Sequence, residues 1–360
     1  MKTTMPKVLI LGKKSDAKNE STIGFCNNVI NCCNKVFGPE NVYVISIPSP
    51  KKTTFLKNVV FNQPFGYDNY IREQLEEIKG IKFELIISCS SLYLGYLKKY
   101  YRKQKSIVFF QNVERIYFYE KYKSTSKLTD RVLYGYVKRT ESIIRKLNSR
   151  ISVLNSRDAL EIKKFYKRDA DFVLPISFDS LAKSDLEVFV SHKEDPYLLF
   201  VGSNFYANNY GIMHFIKNVL PYINVELRVL GSCCDYLKDK VDGARNLKLL
   251  GFVDDFKGIM VNASLVVCPI YSGSGMKTKT IEALRFGKTI AGTDEAFVGI
   301  DCDFEMVGAL CNSDKEFIDF INKHAHSANR INDYSLAFFD NHFSKKVFES
   351  RLREALEQIL

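Results

Sequence analysis

The chain has few groups suited to proton transfer near neutral pH. Its 360 residues include five histidines, His192, His214, His324, His326 and His342, all beyond residue 190. The first half therefore offers no histidine base. The spacing His324-x-His326 fits a solvated helical surface better than a ligand pair. Long apolar runs are missing too, since none approaches the roughly 18 residues of a membrane span. Between Lys7 and Gly12 stand only Val8-Leu9-Ile10-Leu11, too short for a signal-peptide core and right for a buried strand. Nine cysteines show no Cys-x-x-Cys spacing. Without an export signal they read as reduced thiols of a cytosolic chain. The adjacent pairs Cys32-Cys33 and Cys233-Cys234 suit redox or metal chemistry poorly, because sequence neighbours usually point apart while a metal needs converging ligands.

What the sequence does contain is positive charge, unevenly placed. Lys and Arg total 52 against 41 Asp and Glu, a net +11. Residues 1–180 hold 32 basic and 17 acidic groups, net +15, and the remainder 20 and 24, net −4. Residues 91–170 alone supply 20 basic and 7 acidic groups. The two halves thus face different electrostatic neighbours. A 46% hydrophobic content with 26% charged residues leaves apolar mass for two cores, and the length fits two domains of roughly 100–200 residues each.

Both halves alternate short β-rich runs with helical patterns, which predicts α/β units with parallel sheets. In the first half, strands are expected at 7–12, 41–47, 83–88, 106–110 and 149–154, with helices near 23–36 and 69–79. Leu133, Val137, Ile143, Ile144 and Leu147 add helical spacing inside a basic, aromatic segment. After the polar stretch Ser191–Pro196, strands are expected at 197–202, 226–231, 247–253, 264–269 and 289–292. A helix over 344–360 closes the chain.

The stretch most suited to chemistry is Tyr271-Ser272-Gly273-Ser274-Gly275-Met276-Lys277-Thr278-Lys279-Thr280-Ile281-Glu282. It follows a buried strand and opens a helix, so glycines admit a close backbone approach and free N–H groups face an anion. Lys277 and Lys279 add formal charge. Lys279 and Glu282 share a helical face, offering a cation for diphosphate and a carboxylate for a vicinal diol. Such a loop can also be a plain turn, and Glu282 an ordinary exposed residue. No Gly-x-x-x-x-Gly-Lys-Ser/Thr loop is present, and the third glycine of a dinucleotide fingerprint is absent.

Extended to Ala283-Leu284, Gly287-Lys288 and Ile290, this stretch resembles the donor-site signature of group 1 retaining nucleotide-sugar glycosyltransferases (carbohydrate-enzyme family four). Leu199-Phe200-Val201-Gly202-Ser203 with Asn208, Leu227–Gly231, Leu250–Asp255 and Ile151–Asp158 are similar to further landmarks, in the family's order. The resemblance implies a GT-B fold, two Rossmann-like α/β domains facing a cleft: 1–178, a linker 179–196, 197–342, and a helix 343–360 packing back on the first. It implies that Glu282 binds the donor ribose and that the Gly273, Ser274, Gly275 and Met276 backbone faces diphosphate and sugar. Phe252 and Val253 would line the base, beside Gly202 and Ser203. Lys279 and Lys277 would neutralise the leaving diphosphate, selectively in the transition state. No cofactor and no catalytic metal are expected.

Three departures accompany it. Ser274 stands where the family has the first of two carboxylates. Ser203 and Asn204 stand near an arginine position, and no lysine precedes Gly211. Gln111-Asn112-Val113-Glu114 resembles a His-Asn-x-Glu segment, so Gln111, Asn112 and Glu114 are candidate acceptor-side residues without a histidine base. Asp169-x-Asp171 and Asp301-x-Asp303 have metal-like spacing but lie outside the chemical loops.

The run Lys98, Lys99, Arg102, Lys103 and Lys105, interleaved with tyrosines, suits an anionic membrane. It is equally the composition of a solvated basic face, and no nucleic-acid motif accompanies it. The resulting expectation is a cytoplasmic glycosyltransferase, peripheral on the inner face of the plasma membrane. It would move a hexose-type sugar to a glycan or polyprenyl-linked acceptor in bacterial surface polysaccharide or glycoconjugate synthesis. A catalytically impaired nucleotide-binding module and a basic nucleic-acid-binding protein are the alternatives.

Overall fold

The computed structural model describes residues 5–13, 24–191, 195–241, 243–273, 275–327 and 330–360. The chain divides into two compact units, 1–177 with 345–360, and 178–344. Each is built on a parallel sheet of six strands among the described residues, the two-unit α/β architecture of a GT-B fold.

The first unit comprises β1 (Val8–Gly12), β2 (Val42–Ser46), β3 (Leu85–Ser88), β4 (Lys105–Phe110), β5 (Ser149–Val153) and β6 (Phe172–Val173), in the order β2-β1-β3-β4-β5-β6. Every residue of β1 and β3 is buried. Helices cover both faces of such a sheet, so its strands read as unbroken apolar runs. Leu9, Ile86, Val108 and Ile151 meet at the centre. The helix Gly24–Phe37 buries Phe25, Val29, Cys32 and Cys33. The C-terminal helix Lys345–Ile359 belongs to this unit and packs on it: Phe348 meets Phe25 edge-on at 5.5 Å, and Lys35 pairs with Glu349 at 2.6 Å.

The basic, aromatic segment folds as two helices, Glu114–Thr125 and Leu128–Glu141. Ser126, in the left-handed region (φ 54°), ends the first. Tyr119 packs on Tyr134, and Thr125 donates to Asp130 at 2.6 Å.

The second unit holds β7 (Tyr197–Val201), β8 (Glu226–Leu230), β9 (Leu247–Gly251), β10 (Leu265–Cys268), β11 (Ile290–Gly292) and β12 (Gly308–Leu310), in the order β12-β11-β10-β7-β8-β9. The strand expected at 247–253 stops two residues early, because Gly251 turns the chain at φ 66°. The stretch 179–196, read as a linker, groups with this unit. It forms the short helix Lys183–Glu187 with Leu186 buried, and Ser191 N–H donates to Asn262 at 2.6 Å.

Candidate functional site

In the second sheet β7 and β10 are neighbours, yet the chain runs outward from β7 to β8 and β9, and from β10 to β11 and β12. Such a switch point leaves a crevice at the strands' carboxyl ends, where open α/β sheets hold ligands. Gly202 and Ser203 leave β7 at this point, and residues 269–277 leave β10.

Glycines allow close backbone packing at this place. Gly231, at φ 98°, approaches Gly202 so closely that a Cβ on it would lie 2.4 Å from the Gly202 carbonyl oxygen. In the loop after β10, Gly273 (φ 143°) and Gly275 (φ 65°) adopt conformations that side chains resist. Ser274 lies outside the described residues. Met276 is buried, and the helix Thr278–Arg285 begins two residues on. Its N-cap, Lys277, makes no side-chain capping bond, and its first turn carries no acid. The positive end of the helix dipole therefore faces the loop.

Lys279 projects from that first turn. Its ammonium lies 4.6 Å from the centroid of the buried Phe200 ring and donates to Asn208 Oδ1 at 2.5 Å. Asn208 in turn donates to Ser203 O at 3.0 Å, so Ser203 orients Asn208 and Asn208 orients the lysine. Burial lowers the Lys279 pKa to about 8, helped by the charge of Lys277 and opposed by the Cys268 and Cys233 thiols. The group is a desolvated cation held by a neutral partner, a state in which an incoming phosphate gains most.

Lys277 is differently placed. Its Nζ meets Glu295 Oε1 at 2.7 Å and Gly275 O at 3.1 Å, with the two side chains 10% and 20% exposed. Glu295 escaped the sequence reading because it arrives 18 residues later, on the turn Asp294–Phe297 after β11. The available signal was its place just past a predicted strand, at the carboxyl edge where ligands gather. Removing its charge with Glu295→Gln should release Lys277 toward the loop. Calorimetry with a panel of nucleoside diphosphates should then show binding about 3- to 10-fold tighter than wild type, near 1 kcal/mol. Unchanged or weaker binding would mean that Glu295 does not compete for Lys277.

Glu282 is partly buried on the same helix as Lys279. Phe252, just beyond the Gly251 turn, is 84% exposed, an unusual state for a phenyl ring and a free face for stacking. Val253 beside it is half-buried.

The acceptor-side candidates belong to the first unit, at the carboxyl end of β4. Gln111 Nε2 donates to Cys89 O at 2.7 Å, tying β4 to the end of β3. Glu114 has its pKa raised to about 8 by burial and then by the charge of Glu141, against a hydrogen bond from Asn112. Glu141, unnoticed in the sequence, accepts from Ser91 Oγ (2.8 Å), Glu114 N–H (3.0 Å), Arg115 N–H (2.9 Å) and Tyr166 OH (2.6 Å). It thereby caps the helix Glu114–Thr125 from 27 residues away.

The other sequence candidates have structural roles. Asp169 pairs with Lys163 and Asp171 with Arg150, while Asp303 caps the turn Phe304–Val307. Among the described residues all nine cysteines are free thiols, and no three His, Cys, Asp or Glu side chains gather as a metal-binding group. Of the five cations read as one membrane patch, three share a cavity and a fourth has other partners. Lys98, Lys99 and Arg102 line one cavity, whereas Lys105 donates to Ile359 O and Leu360 O at 2.9 and 3.0 Å. Lys105 opens β4 and so faces the C-terminal helix.

Residues 195–324, which carry the crevice, the loop and both lysines, match the family model of glycosyl transferases group 1. This segment is a group 1 glycosyl transferase domain. Solved structures share the whole two-unit fold with the chain that contains this domain. HepE from Anabaena, solved with UDP, is 13% identical, with a TM-score of 0.67 and coverage of 98% of this chain and 100% of that one. WaaG, a glycosyltransferase involved in lipopolysaccharide biosynthesis, is 15% identical, with a TM-score of 0.63 and coverage of 98% and 99%. Sucrose-phosphate synthase from Thermosynechococcus elongatus is 12% identical, with a TM-score of 0.72 and coverage of 98% of each chain. No curated protein matches the sequence.

Proposed function

We propose that the protein transfers a hexose-type sugar, with retention, from a nucleoside-diphosphate sugar to a glycan or polyprenyl-linked acceptor. The bacterial surface polysaccharide or a related glycoconjugate is the expected product. The observation that carries this reading is Lys279, a desolvated ammonium held by Asn208 in the first turn of a helix at the sheet's switch point. The binding of UDP and UDP-glucose by HepE, which shares the fold, supports it.

In this reading the anomeric C–O bond breaks and its electron pair moves onto the departing diphosphate. Lys279 and the helix N–H groups meet that charge as it grows, which accelerates the step because they bind the transition state better than the donor. The acceptor hydroxyl oxygen bonds to the anomeric carbon, and its proton passes to the departing phosphate. Glu282 accepts hydrogen bonds from the ribose diol, and Phe252 stacks on the base. Gln111, Asn112 and Glu114 serve the acceptor. The lysines, with no metal called on, supply the positive charge, so treatment with EDTA should leave turnover unchanged. Among the described residues no helix is long and apolar enough to cross a membrane. In this reading the enzyme meets a lipid-linked acceptor from the cytoplasmic side of the membrane.

Glu282→Ala should raise the donor KM about 10- to 100-fold, the loss of charge-assisted hydrogen bonds to the diol. Equal donor hydrolysis in both proteins would sink the site. Nucleotide binding without turnover by any donor would favour an impaired binding module, a reading motivated by Ser274 and Gln111 in place of charged or basic groups.

A further inference from the structure

A cavity of about 840 Å³ lies wholly within the first unit. Five cations line it: Lys98, Lys99, Arg102, Arg139 and Lys146. They come from the end of the helix Leu94–Tyr100, the residue pair beyond it, the end of the helix Leu128–Glu141, and the turn Ser142–Lys146. No Asp or Glu lines the cavity among the described residues. Glu141, adjacent in sequence to the lining residues Thr140 and Ser142, turns its carboxylate to Ser91 and Tyr166 instead.

These elements lead into β4 and β5, so the cavity opens toward the amino ends of those strands, whereas Gln111 marks their carboxyl ends. Cations at helix C-termini are ordinary partners of the dipole, but that accounts for one or two, not for five converging. Elsewhere on the unit cations find carboxylates, as Lys121 finds Asp130 and Arg150 finds Asp171. Among the described residues none of these five does. Lys99 settles for Gln63 Oε1 at 2.7 Å and the Tyr67 ring. Five cations and no carboxylate around one cavity make its potential positive and favour an anion there. One rim is apolar. Phe61 lines the cavity and is 68% exposed, next to Val60 at 74%.

We infer that this cavity is a second anion site taking a phosphate-bearing ligand; a lipid ligand would rest its apolar portion on the Val60–Phe61 rim. The phosphate arrives either as a lipid headgroup or as a free polyphosphate. The inference does not rest on the donor site.

Two triple variants test it. Lys98→Gln/Arg102→Gln/Lys146→Gln removes three cavity charges from exposed positions. Lys163→Gln/Lys164→Gln/Lys167→Gln removes three from another face of the same unit. Inorganic tripolyphosphate is titrated calorimetrically, and vesicles of phosphatidylglycerol and phosphatidylcholine are co-sedimented with each protein. Wild type, the second triple variant and Lys279→Met should bind at least one probe, and the cavity variant at least about 10-fold more weakly. Binding of tripolyphosphate assigns a free polyphosphate, and binding of vesicles alone assigns a lipid. No binding to either probe, equal loss in both triple variants, or loss only in Lys279→Met overturns the site.

Discussion

Lys279→Met should lower the rate of sugar transfer about 100- to 1,000-fold at saturating donor, the range for losing one preorganised transition-state contact. Methionine fills the space over Phe200 but brings no charge to the departing diphosphate. Lys279→Arg should not restore the rate. The ring and Asn208 hold a compact ammonium, and a planar guanidinium spreads its charge and needs a wider seat. The pH profile supplies a second readout. The lysine works only when protonated, and burial has brought its pKa down to about 8. For the wild type kcat/KM, which reports the free enzyme, should therefore fall above about pH 8. In the donor complex the phosphates favour the charged form, so the corresponding limb of kcat should lie at higher pH. Residual activity of Lys279→Met should show neither limb.

The largest effect on stability is expected at Glu141. Its carboxylate satisfies two side-chain hydroxyls and two backbone N–H groups in a buried place. Glu141→Leu strands all four donors and uncaps a helix, which should cost about 3–5 kcal/mol in urea unfolding followed by hydrogen exchange in the first unit. Glu141→Gln keeps one accepting oxygen and should fall between. Proton linkage adds a signature. Burial raises both Glu141 and Glu114, the latter to about 8. Between the ordinary glutamate range and pH 8 the folded chain thus holds protons that the unfolded chain has released. The stability contributed by Glu114 is full below about pH 4.5 and is lost as pH rises through 8. Melting of wild type should accordingly occur at lower temperature at pH 8.5 than at pH 6, and Glu114→Gln should shrink that difference.

These two residues show what a sequence displays and what it hides. The central strands were legible because a parallel sheet covered on both faces demands unbroken apolar runs such as Val8–Leu11 and Leu265–Cys268. The edge strands Phe172–Val173 and Gly308–Leu310 were not, since two or three residues carry no pattern. The glycines and lysines of the loop after β10 were legible because close backbone approach and cation placement are local matters. Glu141 and Glu295 were invisible for the opposite reason. Each acts on a group 18 or more residues away, and only the fold makes them neighbours. The basic run was visible as composition, but its division was not. Lys98 and Lys105 are seven residues apart, yet one ends a helix and the other opens a strand, so they face different surroundings.

The helix Lys345–Ile359 gives the molecule an unusual assembly order. It completes the first unit, yet a ribosome makes it after the whole of residues 178–344. At roughly 5–20 residues per second, the face of Gly24–Phe37 that receives Phe348 stays uncovered for about fifteen to sixty seconds of synthesis. The second unit, continuous in the chain, can close first. The part of the protein translated earliest is then the last to become whole.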